Sequence, residues 1–138
     1  MRIVLDTNVL VSALLNPHGT PGRIIDLVLS GAVVVLFDDR ILAEYRDVLA
    51  RPKLRIAPVE SAYLLEFIET EGVLAPAPPL DIALPDPDDL PFVEVAAASF
   101  TDALVTGNAR HFAAAVETLS IPIVSPAEFI DLWHMRDT

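Results

Sequence analysis

The sequence contains no cysteine, which excludes disulfides, thiolate nucleophiles and cysteine-ligated zinc and is compatible with a reducing compartment. No apolar run reaches the roughly 18 to 20 residues that a membrane span needs. The N-terminus lacks the ordered basic region, apolar stretch and cleavage site of a signal peptide. We therefore expect a cytoplasmic protein that does not enter a membrane.

Basic residues are also few, since 9 Lys and Arg stand against 20 Asp and Glu and give a formal net charge of −11 at pH 7. Taken alone, this charge argues against a nucleic-acid partner, because phosphate binding depends on Lys and Arg. The distribution is uneven, however. Five of the nine basic residues share one segment, namely Arg40, Arg46, Arg51, Lys53 and Arg55. Such a layout can hold a cation at one place and a polyanion beside it.

The length and hydrophobicity of the chain indicate one compact unit with a partner surface. Its 138 residues fit a single domain, 1–138, with a sizeable core. Hydrophobic residues make up 53% of the chain, and we expect part of this surplus to lie in an interface between copies of the protein.

Strand patterns alternate with helix patterns along the chain. Strands are predicted at 2–5, 32–37, from 102 to the turn at 107–108, and at 121–124. Helices are predicted at 9–15, 23–29, 39–50, 58–71, 92–99, 109–118 and 126–133, and the stretch 73–91 is predicted to be irregular. This alternation predicts an α/β fold, a three-layer α/β/α sandwich with a mostly parallel central sheet. In such sheets ligands bind beyond the carboxyl ends of the strands, where strand order reverses.

Two carboxylates stand at positions that an apolar pattern does not require. Asp6 directly follows the buried strand 2–5, where it could also serve as a helix N-cap. Glu44 lies on the apolar side of its helix, three residues after Ile41 and four before Val48. An ion pair of Glu44 with Arg40 or with Arg51 is the alternative explanation.

Further oxygen donors follow later in the chain. The stretch "PDPDDLPF" places Asp86, Asp88 and Asp89 before one helix, more acids than capping needs, and like charges about 4 Å apart repel by roughly 4 kcal/mol at an effective dielectric near 20. Asn108 in "VTGN" follows a strand end, although Gly-Asn is also ordinary turn chemistry. Oxygen ligands without Cys or clustered His favour Mg²⁺ or Mn²⁺ over zinc.

Four stretches in this order resemble the PIN-domain ribonucleases, particularly the VapC-like toxins of bacterial and archaeal toxin–antitoxin systems. They are "VLDTNVLVSAL", "ILAEYRDVLARPK", "DPDDLPFVEVA" and "DALVTGNARHF…IPIVSPAEF", and together they span almost the whole chain. The resemblance implies a metal-dependent nuclease, a homodimer and an antitoxin partner covering the acidic pocket.

The same resemblance assigns roles to individual residues. It implies that Asp6, Glu44 and Asp89 are the catalytic metal ligands, with Asp86 in or near the metal shell. Asn8 and Thr106 match polar positions that orient ligands or water. Asn108 stands where many PIN domains carry a fourth Asp; its amide oxygen can still coordinate an ion, but one negative charge is lost.

The predicted reaction is hydrolysis of RNA phosphodiester bonds with Mg²⁺ or Mn²⁺. The residues expected to steer the RNA backbone are Arg46, Arg51, Lys53, Arg55 and Arg110. The three histidines, His18, His111 and His134, are too scattered to predict a metal set.

Two other classes of protein compete with this interpretation. The first is a PIN-fold module that binds RNA or a protein without turnover, because Asn108 weakens metal binding. The second is an aspartyl phosphotransferase or phosphatase. Its hydrolase members carry a second acid two residues after the first, where this chain has Asn8.

Overall fold

A parallel five-stranded sheet organises the computed structural model, which describes residues 1–137. The strands lie in the order β3-β2-β1-β4-β5, and every neighbouring pair is parallel. They are β1 (Arg2–Leu5), β2 (Val34–Phe37), β3 (Val73–Leu74), β4 (Ala103–Val105) and β5 (Ile123–Val124). The predicted α/β fold class is confirmed.

Helices cover the sheet as the outer layers of an α/β/α sandwich. They are α1 (Thr7–Leu15), α2 (Thr20–Leu29), α3 (Asp39–Leu49), α4 (Pro58–Glu71), α5 (Leu90–Ala98), α6 (Ala113–Val116) and α7 (Pro126–Asp137). Short 3-10 turns stand at Pro52–Leu54, Pro87–Asp89 and Ala109–Phe112. Within residues 1–137, none of the helices combines the length and the apolar character that crossing a membrane requires.

The reversal of strand order falls between β1 and β4. The chain runs from β1 outward through β2 to β3 and then returns to the other side of β1 to form β4. Such a switch point opens a crevice at the carboxyl ends of the two central strands. Asp6 follows β1 and Thr106 follows β4, so the polar residues at these strand ends meet there.

The core sits on the central strand and the helices packed against it. Ile3, Val4 and Leu5 of β1 are fully buried. The ring of Tyr45 on α3 is also fully buried and lies 6.3 Å from the ring of Phe92 on α5. Tyr45 Oη donates a 2.5 Å hydrogen bond to the carbonyl of Leu5. This bond ties α3 to the strand end from which Asp6 projects.

Several boundaries differ from the sequence predictions for local reasons. Strand β2 begins at Val34 rather than at residue 32, because the N–H groups of Ala32 and Val33 donate to Leu27 O and close the end of α2. Strand β3 was missed, since its two residues are exposed and show no alternation. The helix predicted at 109–118 is a 3-10 turn followed by the short α6.

The entry into α2 also lies earlier than predicted, at Thr20 instead of residue 23. Pro21 lies in the first turn of the helix, a position that proline favours. The backbone of Gly22 lies so close to the preceding turn that a Cβ atom on it would be 2.1 Å from Pro17 O. A capping box precedes α7: Ser125 and Glu128 match its sequence pattern, Ser125 N donates to Glu128 Oε1, and Glu128 N donates to Ser125 Oγ. Helix α7 then continues beyond the predicted end at Trp133 to Asp137.

The hydrogen bond from Tyr45 to Leu5 predicts that the Tyr45 hydroxyl stabilises the folded protein. Tyr45→Phe should lower the free energy of unfolding by about 1 to 2 kcal/mol, because it removes a hydrogen bond inside the core. Urea denaturation measures the change. Tyr63→Phe is the matched control, since Tyr63 is 64% exposed, and equal stability of the two variants would contradict the assigned role of the Tyr45 hydroxyl.

Candidate active site

Asp6 lies at the switch point and is held there by the neighbouring strand. Only 6% of the residue is exposed. The hydroxyl of Thr106 donates a 2.7 Å hydrogen bond to Asp6 Oδ2, and the Asp6 N–H donates to Val105 O at 2.9 Å. Asp6 stands at the N-cap position of α1, but among the described residues its side chain forms no capping bond to the helix. The predicted alternative of a simple cap is therefore wrong.

Thr106 and Asn8 link the turn after β4 to the start of α1. Thr106 is fully buried, and its hydroxyl also accepts the backbone N–H of Asn108 at 3.0 Å. Asn8 Oδ1 accepts the N–H of Gly107 at 3.3 Å. The side chains of Thr106 and Asn8 thus hold the turn at residues 107–108 beside Asp6.

Glu44 projects from α3 toward the same strand end. The hydroxyl of Thr7, the residue after Asp6, donates a hydrogen bond to Glu44 Oε2. The two arginines of the alternative reading pair elsewhere, Arg40 with Asp38 and Glu94, and Arg51 with Asp47. Glu44 is consequently directed to the start of α1, and the ion-pair explanation for it is wrong.

The acidic stretch before α5 completes the group. Asp86 caps the 3-10 turn Pro87–Asp89 by accepting the N–H of Asp88 at 2.9 Å. Capping therefore accounts for one of the three acids, as the sequence indicated. The side chain of Asp89 is only 15% exposed and stands near a ring nitrogen, with His111 Nδ1 4.0 Å from its Oδ2.

Three carboxylates at this edge, Asp6, Glu44 and Asp89, have a raised pKa. Burial is the largest cause for each of them. It raises the pKa of Asp6, and the charge of Asp86 adds to the effect. It raises the pKa of Glu44, with Asp6, Asp88 and Asp86 contributing. Burial together with Asp6, Asp86 and Glu44 raises the pKa of Asp89 to about 6. Asp6, Glu44, Asp86 and Asp89 therefore form one electrostatic group, although they come from three distant segments.

Asn108 contributes a neutral group at the rim. It is exposed, and its backbone N–H rather than its side chain ties it to Thr106. Its side chain forms no capping hydrogen bond to the 3-10 turn that follows it, whereas the carboxylate of Asp6 is held by Thr106.

The predicted RNA-steering residues occupy exposed positions with different surroundings. Arg46 pairs with Glu69 at 3.1 Å and Arg51 with Asp47 at 3.3 Å. Lys53 lies on the 3-10 turn after α3, and Arg55 follows it with a left-handed φ of 54°. Arg110 is exposed beside His111 on the turn after β4.

Sequence reasoning missed several residues that the structure brings to the site. Thr7 donates a hydrogen bond to Glu44, and His111 Nδ1 lies 4.0 Å from Asp89 Oδ2. A cavity of about 310 Å³ beside Glu44 is lined by Arg40, Asp88 and Phe92 among others. Thr7 belongs to a polar triplet between apolar runs, which was the available signal. His111 had no signal, because only the short turn at Ala109–Phe112 brings it toward Asp89.

The donor set suits a hard divalent cation, although it is not drawn into a closed shell. Carboxylate, amide and hydroxyl oxygens converge here, and these are the ligands that Mg²⁺ and Mn²⁺ accept. No three His, Asp or Glu side chains of residues 1–137 are close enough as placed to enclose an ion. The residues therefore fit such an ion by the chemistry of their oxygen donors, although the described side chains as placed do not enclose one.

The fold and this site define a parallel α/β protein with a group of carboxylates near its switch point. The chain belongs to the PIN domain family, because the family model for the PIN domain matches residues 2–110. PIN domains are generally nucleases that typically use divalent metal ions. The matched residues include Asp6, Glu44, Asp89 and Asn108.

One similar protein is the uncharacterized protein MJ1680 of Methanocaldococcus jannaschii. It is 28% identical over 142 aligned residues, which cover 95% of this chain and 90% of the relative. The similarity thus extends beyond the end of the family match and includes β5 and at least part of α7.

The pKa of Asp89 predicts a pH-dependent stability. Because the pKa is about 6 when folded and 3.8 in its ordinary state, the folded protein binds more protons than the unfolded chain between these values. The free energy of unfolding should therefore fall as pH rises from 4 to 6. Asp89→Asn should reduce this fall, leaving the part due to Asp6 and Glu44, and stabilise the metal-free protein at pH 7 by about 1 kcal/mol, after screening by solvent.

Denaturation in EDTA at pH 4 to 8 measures the effect, with Asp131→Asn as the control, since Asp131 is exposed on α7. An Asp89→Asn variant less stable than wild type at pH 7 would contradict the assigned repulsion.

Proposed function

We propose that this protein is a metal-dependent endoribonuclease that hydrolyses RNA phosphodiester bonds with Mg²⁺ or Mn²⁺. The observation that supports it best is the group of carboxylates in which burial first, and repulsion by neighbouring carboxylates second, raise the pKa of Asp6, Glu44 and Asp89. A divalent cation between them would remove that repulsion. Asp6, Glu44 and Asp89 would hold the ion, with Asp86 and Asn108 at the edge of its shell.

Each residue then has a defined task. A bound divalent ion supplies Lewis acidity, which lowers the pKa of water and neutralises charge on the phosphate. Thr106 and Thr7 hold Asp6 and Glu44 in place by donating hydrogen bonds to them. One of the carboxylates that would hold the ion would also accept a proton from the attacking water. Asn8 fixes the Gly107 backbone beside the pocket.

RNA would reach this acidic pocket with help from exposed cations. The candidates are Arg46, Arg51, Lys53, Arg55 and Arg110. Lys53, Arg55 and Arg110 are better placed than Arg46 and Arg51, because the latter two already pair with carboxylates. A protein with a net charge of −11 needs such local positive charge to attract a polyanion.

We extend the proposal to the biological setting on the strength of the motif resemblance. The chain would be a single PIN-like domain, 1–138, acting in the cytoplasm as the toxin of a toxin–antitoxin pair. An antitoxin protein would cover the acidic pocket. Self-association as a homodimer is supported by large apolar side chains at the surface, such as Val59 and Phe100, which are 79% and 88% exposed.

Removal of one metal ligand tests the nuclease directly. Asp6→Asn and Glu44→Gln should each reduce cleavage of labelled single-stranded RNA at least 100-fold in Mg²⁺ or Mn²⁺, since outer-shell changes alone cost 10- to 100-fold. EDTA should stop cleavage by the wild type. Glu66→Gln on the exposed side of α4 is the control for a carboxylate loss elsewhere. Cleavage at the wild-type rate by folded Asp6→Asn would exclude this site.

A PIN-fold module that binds RNA or protein without turnover is the second candidate. It is favoured by Asn108, which lacks the charge that many PIN domains carry at this position. Asn108 is also exposed, and its side chain forms no capping hydrogen bond.

The two candidates predict different results for Asn108→Asp. The added charge should raise Mn²⁺ affinity about tenfold, measured by calorimetry, because one more carboxylate joins the group. If the wild type does not cleave RNA and the variant does, the protein is a module that lost turnover. If the variant gains neither affinity nor activity, Asn108 is not the cause of weak metal binding.

A further inference from the structure

Arg40 is the basic side chain in the lining of the cavity beside Glu44, and the function proposed above does not use it. It stands on α3 four residues before Glu44, and its side chain is 47% exposed. The charged groups that share this lining, Glu44 and Asp88, are acidic. Arg40 therefore supplies the positive charge at this side of the pocket.

Two carboxylates with little exposure hold the guanidinium. Arg40 Nε and Nη2 lie 2.8 and 2.7 Å from Asp38 Oδ2, and Nη1 lies 2.6 Å from Glu94 Oε1. Glu94 is only 2% exposed, and its other oxygen accepts the N–H of Leu80 at 2.6 Å. Asp38 also caps α3 by accepting the N–H of Ile41. Each carboxylate is fixed at a second point, so the orientation of the guanidinium is fixed as well.

Part of the guanidinium is still available for another partner. An arginine has five N–H donors in a planar fork. Asp38 and Glu94 accept hydrogen bonds from Nε and Nη1, and Nη2 lies 2.7 Å from Asp38 Oδ2. Nη1 and Nη2 each carry two N–H groups, so each can donate a further hydrogen bond to a phosphate oxygen.

We propose that Arg40 binds a phosphate of the RNA backbone beside the carboxylate pocket and that Asp38 and Glu94 are its positioning residues. The inference rests on the proposed function, because the RNA supplies the phosphate. Arg40 offsets the repulsion between the backbone and the acidic lining at the place where the backbone must pass. A fixed guanidinium also sets the register of the strand relative to Glu44.

The Arg40–Glu94 pair also joins α3 to α5, so a purely structural role is the competing explanation. RNA binding separates the two. The triple variant Asp38→Asn/Arg40→Gln/Glu94→Gln neutralises all three side chains, so it leaves no buried charge unpaired. It also makes the net charge of the protein more positive by one. A long-range charge effect would then tighten RNA binding, and loss of a phosphate contact would weaken it.

Fluorescence anisotropy with a labelled single-stranded RNA, in an Asp6→Asn background that prevents cleavage, measures the affinity between 50 and 300 mM salt. We expect the neutral variant to bind roughly tenfold more weakly. Its plot of log affinity against log salt should be shallower by about 0.7, the value for one phosphate of a single strand. Arg136→Gln is the matched control, because Arg136 is an exposed arginine paired with Asp102 at 3.0 Å; it should change neither quantity.

Arg40→Lys keeps the charge and the partners of both carboxylates, and it decides the matter if the neutral variant unfolds. Loss of the fork should weaken RNA binding several-fold. The proposal is overturned by unchanged affinity and salt dependence in the folded neutral variant, or by unchanged affinity in folded Arg40→Lys. An absence of RNA binding by the parent protein also overturns it. Cleavage is measured separately with Asp6 intact. Its absence refutes the nuclease and leaves the binding result for Arg40 standing.

Discussion

The hydrogen bond from Thr106 Oγ1 to Asp6 Oδ2 joins the carboxyl ends of β4 and β1, the two parallel strands between which the strand order reverses. It holds a carboxylate in a place that is otherwise apolar, directly above the fully buried Ile3, Val4 and Leu5. The other groups of the site are arranged around this fixed point. Glu44 is brought to it by the Thr7 hydroxyl and by the Tyr45 contact with the same strand. Asp89 reaches it from the start of α5, which packs on the central strands.

This arrangement is electrostatically unfavourable for the metal-free chain. Burial and like charge both raise the pKa of Asp89, and its shift to about 6 reduces stability near neutral pH. A fold does not need such a group, because two apolar or neutral residues would pack without repulsion. Strained electrostatics at a strand-end crevice is typical of sites that act on a ligand. The repulsion between these carboxylates therefore lies where the proposed cation would bind, and the cation would offset it.

Much of the fold could be read from the sequence because its strands are short continuous apolar runs and its helices carry clear stop signals. The turn at 107–108, the capping box at Ser125 and the helix that carries Glu44 were all visible in this way. Strand β3 could not be found, since Val73 and Leu74 are exposed and are defined only by pairing with β2. The start of β2 depended on hydrogen bonds back to Leu27 O, which no local pattern encodes.

The candidate site was predictable where a polar residue interrupts an apolar pattern, as at Asp6 and Glu44. It was not predictable where partners come from distant segments. The pairing of Arg40 with Glu94, 54 residues apart, and the approach of His111 to Asp89 arise from packing of α3, α5 and the turn after β4. Sequence reasoning instead offered Arg40 as a partner of Glu44. Only the fold shows that Arg40 is held by other carboxylates and lies beside Glu44 in one cavity.

Calorimetric titration of the protein with Mn²⁺ at pH 6, in buffers of different ionisation enthalpy, tests the central claim that these carboxylates form a cation site. We expect saturable binding with release of a fraction of a proton, because Asp89 is partly protonated at that pH before the ion binds. Asp6→Asn should abolish most of this heat. Binding of equal affinity in folded wild type and Asp6→Asn, or no binding to the wild type at all, would contradict the account.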